Sequence, residues 1–239
     1  MNAQPHFRSI YEVACELEVT LERFAPARPP HSDRVIDELH AINYCYLQLL
    51  IAGLSNVDST PEQWRLAAAI AKSLAQLSDG ALSLAAQCPY SLFDVAFDDF
   101  ERWRRYCECP SDHLLSVGGR RCVFANTALF FAWHFTNADE PRIQVQARIV
   151  LGLDPRIAQL LRRISLPKLM EIAPHVGSTM RPRWLKHPRF WPDLISTASQ
   201  RSPNKLRAVR LLGRQMLAAE ALRTAEGSIH PVNNKAASK

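Results

Sequence analysis

The stretch Leu151–Ala173, LGLDPRIAQLLRRISLPKLMEIA, restricts the possible folds more than any other part of the chain. Asp154 before Pro155 reads as a helix start: a short acidic side chain can cap free N–H groups, and proline at the first helical position loses no hydrogen bond. Ile157, Leu160, Leu161 and Ile164 then recur three and four residues apart, on one helical face. Ser165 with Pro167 repeats the start signal, and Leu169, Met170, Ile172 and Ala173 form a second apolar face. Two short helices meeting at a corner need further helices on which to bury both faces.

A weaker copy of this unit lies at Trp64–Ala86. Ile70-Ala71, Leu74, Leu77, Ser78, Leu82 and Ala86 stand where the second copy has Ile157-Ala158, Leu161, Ile164, Ser165, Leu169 and Ala173. Each copy follows an apolar helix with an internal asparagine, Asn43 or Asn126. The shared order of helix, loop, helix, serine corner and helix argues for a duplication. Gly152 has no glycine counterpart in the first copy, where Arg65 stands.

The rest of the chain also reads as helices. Ile10, Val13, Leu17 and Leu21 predict an amphipathic helix over 8–24, and PARPPHSD at 26–33 a linker. Val35, Leu39, Ile42, Tyr46, Leu49 and Leu50 predict a core-facing helix over 34–54. Thr60-Pro61 opens a helix to about 76, and a short helix follows over 81–87. Residues 90–97 could run as a short extended segment, Asp99 starts a helix through Tyr106, and 107–123 reads as an irregular boundary. The apolar run 124–135 is too short to span a membrane and is expected as buried core, and 143–150 leads into the corner unit. After Ala173, Pro174, Pro182, Pro188 and Pro192 predict a basic, aromatic loop. Ser202-Pro203 starts a helix over 203–225, and the last dozen residues read as a polar, disordered tail.

With only 8 glycines and no long Val/Ile-rich alternating run, the fold class is all-α: two tandem helical modules with a basic C-terminal helix. The expected division is 1–31 as an N-terminal helix and linker, 32–106 as module 1, 107–195 as module 2 with the basic loop, and 196–239 as the C-terminal helix and tail. No apolar stretch suits a membrane span or a signal peptide, so a cytoplasmic protein without membrane contact is expected.

Charge is segregated. Residues 1–141 carry 11 Lys/Arg against 18 Asp/Glu, a net of −7, whereas 142–239 carry 18 against 5, a net of +13. A polyanion partner for the second half and a protein partner for the first would account for this asymmetry. Arg181, Arg183, Lys186 and Arg189, interleaved with Trp184 and Trp191, are candidate phosphate contacts, with Arg207, Arg210 and Arg214 on the terminal helix. The tryptophans could instead be core anchors beneath a solvated loop. Arg162 and Arg163 form a weaker candidate beside the Ser165 corner.

Cys107, Cys109, Cys122 and His113 lack the paired spacing of a structural zinc site, and no metal or cofactor is expected. No phosphate-binding loop, Gly-x-Ser-x-Gly or His-Glu-x-x-His motif is present, and no catalytic residue is assigned; a non-enzyme is expected.

The segments IDELHAINYCYLQLL (36–50) and AIAKSLAQLSDGALSLAAQCPYSLFDVAFDD (69–99) resemble the FlhD family of bacterial flagellar transcriptional activators, through Ile42-Asn43, Tyr46-Leu47, Leu74, Leu77, Ala86 and Phe97-Asp98. The second copy is similar through Leu151-Gly152, Leu161, Ser165-Leu166-Pro167 and Ala173. The resemblance implies a helical, dimerising module that acts with an FlhC-like subunit to bind DNA and activate promoters of flagellar or other surface or transfer genes. It also implies a homo- or hetero-oligomer. A cysteine that links subunits in some members falls at Phe93 here, so no covalent dimer is implied. The alternative is an adaptor or anti-activator of the same fold that makes no DNA contact.

Overall fold

The computed structural model of this chain describes residues 31–53, 62–108 and 119–227. The helix expected at 8–24 and the tail after 227 lie outside them. Among the described residues the fold is all-helical apart from one minimal ladder. The elements in order are α1 (His31–Ala52), α2 (Glu62–Leu74), α3 (Asp79–Ala86), β1 (Phe93–Asp94), α4 (Phe100–Glu108) and α5 (Arg120–Thr136). Then come α6 (Pro141–Leu151), α7 (Pro155–Arg163), α8 (Leu166–Thr179), β2 (Arg181–Pro182), α9 (Phe190–Ser199) and α10 (Pro203–Gly227).

Helix α5 is the centre. Phe124, Ala125, Ala128, Leu129, Phe131, Ala132 and Phe135 are all buried, so it is apolar around most of its circumference, as a helix enclosed by others must be. Helices α1, α6, α7 and α8 pack around it. The small side chains of Ala125 and Gly177 let α8 approach closely: a Cβ on Gly177 would lie 3.0 Å from the Arg121 carbonyl oxygen. Backbone cannot yield as a side-chain tip can, so Gly177→Ala is expected to cost about 1–3 kcal/mol by forcing the two helices apart. The shift of the urea unfolding midpoint at constant slope measures it.

The opening corner forms as its residues dictate. Helix α6 ends on Gly152 in the left-handed region (φ 64°), with Leu153 N–H donating to the Arg148 carbonyl and Gly152 N–H to that of Ile149. Asp154 caps α7 by accepting the Arg156 N–H at 2.7 Å, and its own N–H donates to Phe97 O. Ser165 occupies the α8 cap position, yet its hydroxyl makes no capping bond, unlike Ser78, which accepts the Ala81 N–H.

Two expectations fail after Ala173. Pro174 does not end the helix; α8 runs on to Thr179 with the proline inside it. Proline there removes the bond to the Met170 carbonyl and costs roughly 3 kcal/mol. Met170 is 60% exposed, so water can serve that carbonyl, and burying Leu169, Ile172, Ala173 and Val176 outweighs the loss. The expected loop also contains α9. Pro192 sits in its first turn, where no N–H is needed, and His187 Nδ1 accepts the Phe190 N–H at 3.1 Å in place of a cap side chain. Phe190, Trp191, Leu194 and Ala198 form its buried face.

The division into modules does not correspond to separate cores. One continuous apolar cluster runs from Val35 to Leu217. Helices α2 and α3 pack on α9, and α4 packs on α7 and α8, so each stretch completes the core of the other. The two asparagines also part company. Asn43 is fully buried; its amide donates to the carbonyls of Ala86, Cys88 and Tyr90, and its Oδ1 accepts the Leu92 N–H at 2.9 Å. Asn126 reaches only the Cys122 sulfur, at 4.0 Å.

Candidate nucleic-acid interface

The strap that Asn43 holds, residues 86–94, carries half of a clasp. Phe93 pairs with Pro182 and Asp94 with Arg181 in an antiparallel ladder, and the Arg183 N–H donates to Leu92 O. Ser91 N–H donates to Val150 O, which joins the strap to the end of α6. The basic run is therefore a short rigid segment bound at one end to the first half of the chain.

Arg183 turns inward. It is 5% exposed, with Nη1 donating to Ser91 Oγ and Nη2 to Leu151 O, each at 2.9 Å, and Nε 3.8 Å from Glu220. The expectation that it contacts phosphate is overturned: its donors are consumed joining the strap, the α6 terminus and α10. Space for it exists only because residue 152 is glycine, where a Cβ would stand 2.3 Å from Nη2.

The tryptophans are anchors. Trp191 is buried and donates to Arg183 O; Trp184, with φ 51°, donates to Glu220 Oε1 at 2.6 Å and stacks edge-on against Tyr90 and Phe190. Arg210 is also largely withdrawn, with Nη2 donating to Leu84 O on α3. Arg181 pairs with Asp94 at 2.7 Å and Arg189 with Asp193 at 3.4 Å, both at the surface. Arg162 of the weaker candidate pair donates to Thr136 O and to Gln144, fastening α7 to its neighbours.

Lys186, Arg207 and Arg214 are exposed and have no carboxylate partner among the described residues. Lys186 and Arg214 converge on a cleft of about 1360 Å³ between the 148–156 corner, the 181–186 segment and the second half of α10. Arg148, half-buried and without a carboxylate partner among the described residues, joins them there, a residue that sequence reasoning passed over because nothing in its local pattern distinguishes it. The cleft carries Arg148, Arg156, Arg181, Arg183, Lys186 and Arg214 against Asp94, Asp98, Asp154 and Glu220, so positive charge predominates. With low-dielectric walls, such an arrangement concentrates anions.

Burial raises the pKa of Cys45, Cys107 and Cys122 above the ordinary thiol value. Burial pushes the Cys88 thiol up to about 11, away from the thiolate form. Among the described residues no group of three or more His, Cys, Asp or Glu side chains could hold a metal ion, and no helix is long and apolar enough to cross a membrane. Cys107 and Cys122 are free, whereas Cys109 and His113 lie outside the described residues.

His40 of α1 feels the charge of Arg210 on α10. Its Nε2 is buried without a hydrogen-bond partner among the described residues, and burial, then the charge of Arg210, holds its pKa below the ordinary value, with Asp37 opposing. The folded chain thus binds fewer protons than the unfolded one. Stability is expected to be full above about pH 6.5, to fall as pH drops from there toward the lowered folded pKa, and then to level off. Urea midpoints measured across pH 5–8 check this; His40→Gln should flatten that step.

No family model, curated protein or solved structure matches this chain.

Proposed function

We propose that this is a cytoplasmic DNA-binding regulatory protein that contacts phosphate through Lys186, Arg207 and Arg214, with Arg148, Arg181 and Arg189 flanking. The observation that carries the reading is the set of exposed cations without a carboxylate partner among the described residues, on elements held by Arg183, Glu220, the buried Trp191 and the partly buried Trp184. Such contacts give salt-dependent affinity and position a protein on a duplex without choosing its sequence. Sequence choice would then fall to a partner, in keeping with the resemblance to FlhD and its FlhC-like subunit; the fuller proposal is a promoter activator acting as part of such an oligomer.

Fluorescence anisotropy on a labelled duplex across a salt series, with and without an FlhC-like subunit, tests this. The double variant Lys186→Glu/Arg214→Glu is expected to weaken binding at least roughly tenfold on every sequence and to reduce the log–log salt slope by about 2. Arg183→Lys, in contrast, should act through stability. Salt-independent binding, or an unchanged slope in the double variant, would refute the phosphate role.

A second reading, an adaptor or anti-activator without DNA contact, is favoured by Phe130 of α5 and Met170 of α8. Both turn to solvent, at 48% and 60% exposure, on otherwise well-packed helices. Retention of a protein partner with no nucleic acid, abolished by Phe130→Glu, would select it.

A further inference from the structure

The cleft is wider than the roughly 300–1,000 Å³ of an ordinary small-molecule pocket, and its walls are amphipathic. Ile149, Leu217, Ala221 and Leu222 give it an apolar side; Ile149 and Leu222 are 58% and 66% exposed, among the barest large apolar side chains described. Arg148, Lys186 and Arg214, without carboxylate partners among the described residues, give it a positive rim. An apolar trough with a cationic rim suits an amphipathic helix carrying acidic side chains, a body of roughly 10–12 Å diameter.

The chain contains a sequence of that kind. Residues 8–24 set Ile10, Val13, Leu17 and Leu21 at helical spacing and carry Glu12, Glu16, Glu18 and Glu22 against Arg8 and Arg23. The sequence enters the described fold within two helical turns of the cleft, since Ile36, in the second turn of α1, is one of its lining residues. The residues between, 25–30, can span up to roughly 20 Å when extended, enough to turn back across a helix width. A tether this short raises the local concentration of the segment to about the millimolar range, so even weak contacts would hold it.

We propose that the cleft is occupied by residues 8–24 of the same chain, bound as an amphipathic helix. Its apolar stripe lies against Ile149, Leu217 and Leu222, and its glutamates face Arg148, Lys186 and Arg214. The segment would then compete with any polyanion for Lys186 and Arg214. The inference rests on the cleft and the tether, and stands whether or not the protein binds DNA.

Zero-length carbodiimide coupling of the full chain tests it, because Lys186 is the lysine that lines the cleft. An equal mixture of ordinary and nitrogen-15-labelled protein is coupled, and its peptides are analysed by mass spectrometry. The expected product is an amide between Lys186 and Glu12, Glu16, Glu18 or Glu22, within one isotopic species. In parallel, Leu17→Glu/Leu21→Glu should lose that link and raise amide exchange at 146–153 and 214–222 at least fivefold. Links joining differently labelled chains would assign the cleft to a second copy and overturn the proposal. Absence of the link together with unchanged exchange in the double variant would overturn it as well.

Discussion

Asn43→Leu is expected to lower stability by about 3–5 kcal/mol, a large part of the roughly 5–15 kcal/mol that holds a domain of this kind together. The leucine fits the volume, so the loss is one of hydrogen bonding. Asn43 bonds the carbonyl of Ala86 at the end of α3, and the carbonyls of Cys88 and Tyr90 and the N–H of Leu92 on the strap of non-helical backbone that follows it inside the protein. Backbone groups buried without partners cost roughly 1–3 kcal/mol each, and leucine leaves at least Tyr90 O and Leu92 N–H in that state. Because the strap carries β1, the loss should spread to the clasp with 181–183. Urea denaturation gives the magnitude. Asn43→Asp provides a control of mechanism: its carboxylate still accepts from Leu92 but faces the carbonyls, so its pKa should rise in the fold. That variant should be most stable near pH 4 and weaken as pH rises from about 3.9 through the raised folded value.

The helical class was legible because apolar spacing and caps agree along most of the chain. Asp154-Pro155, Thr60-Pro61 and Ser202-Pro203 each stand at or beside the start of an observed helix. What misled was proline read as a breaker wherever it fell. Pro174 lies one turn after the exposed Met170, whose carbonyl it leaves without a helical partner, while Leu169, Ile172, Ala173 and Val176 of α8 are buried, and a local reading has no access to which side is which. The duplication was legible as pattern and incomplete as architecture. Ser78 and Ser165 do occupy equivalent corners with the same extended backbone, yet the two stretches share one core, since α2 and α3 need α9 to cover them.

For the candidate site, a sequence displays that Arg181, Arg183, Lys186 and Arg189 are basic, and not which of them have been given other work. Arg183 lost its place as a surface cation to Ser91 and Leu151 O, 92 and 32 residues away. Arg210 lost much of its own to Leu84 O on α3, 126 residues away. Lys186 and Arg214, by contrast, meet at one cleft although 28 positions separate them. Long-range geometry of that kind leaves no local trace. The aromatic interleaving had two readings at the outset, and the anchoring one describes where Trp184 and Trp191 are.

Gly152→Ala is expected to cost about 4–7 kcal/mol, from two separable sources. The first is backbone: at φ 64° an L side chain pays roughly 1–2 kcal/mol, and the α6 cap needs that conformation to deliver Gly152 and Leu153 N–H to Ile149 and Arg148. The second is collision. The new methyl would lie 2.3 Å from Arg183 Nη2 and 3.0 Å from Leu217 Cδ1. An arginine tip usually swings aside, but this one is buried and tied to Ser91, Leu151 and Glu220, so moving it breaks a buried charged network worth roughly 3–5 kcal/mol. A double-mutant cycle separates the two. In an Arg183→Met background the collision with the guanidinium is gone, and Gly152→Ala should retain the backbone cost of about 1–2 kcal/mol and the small shift of the Leu217 methyl, a coupling of at least 2 kcal/mol between the positions. Additive urea midpoints would show that Arg183 does not lean on the glycine. Coupling of the expected size would make the αL corner at Gly152 the reason the guanidinium can reach the α6 terminus at all.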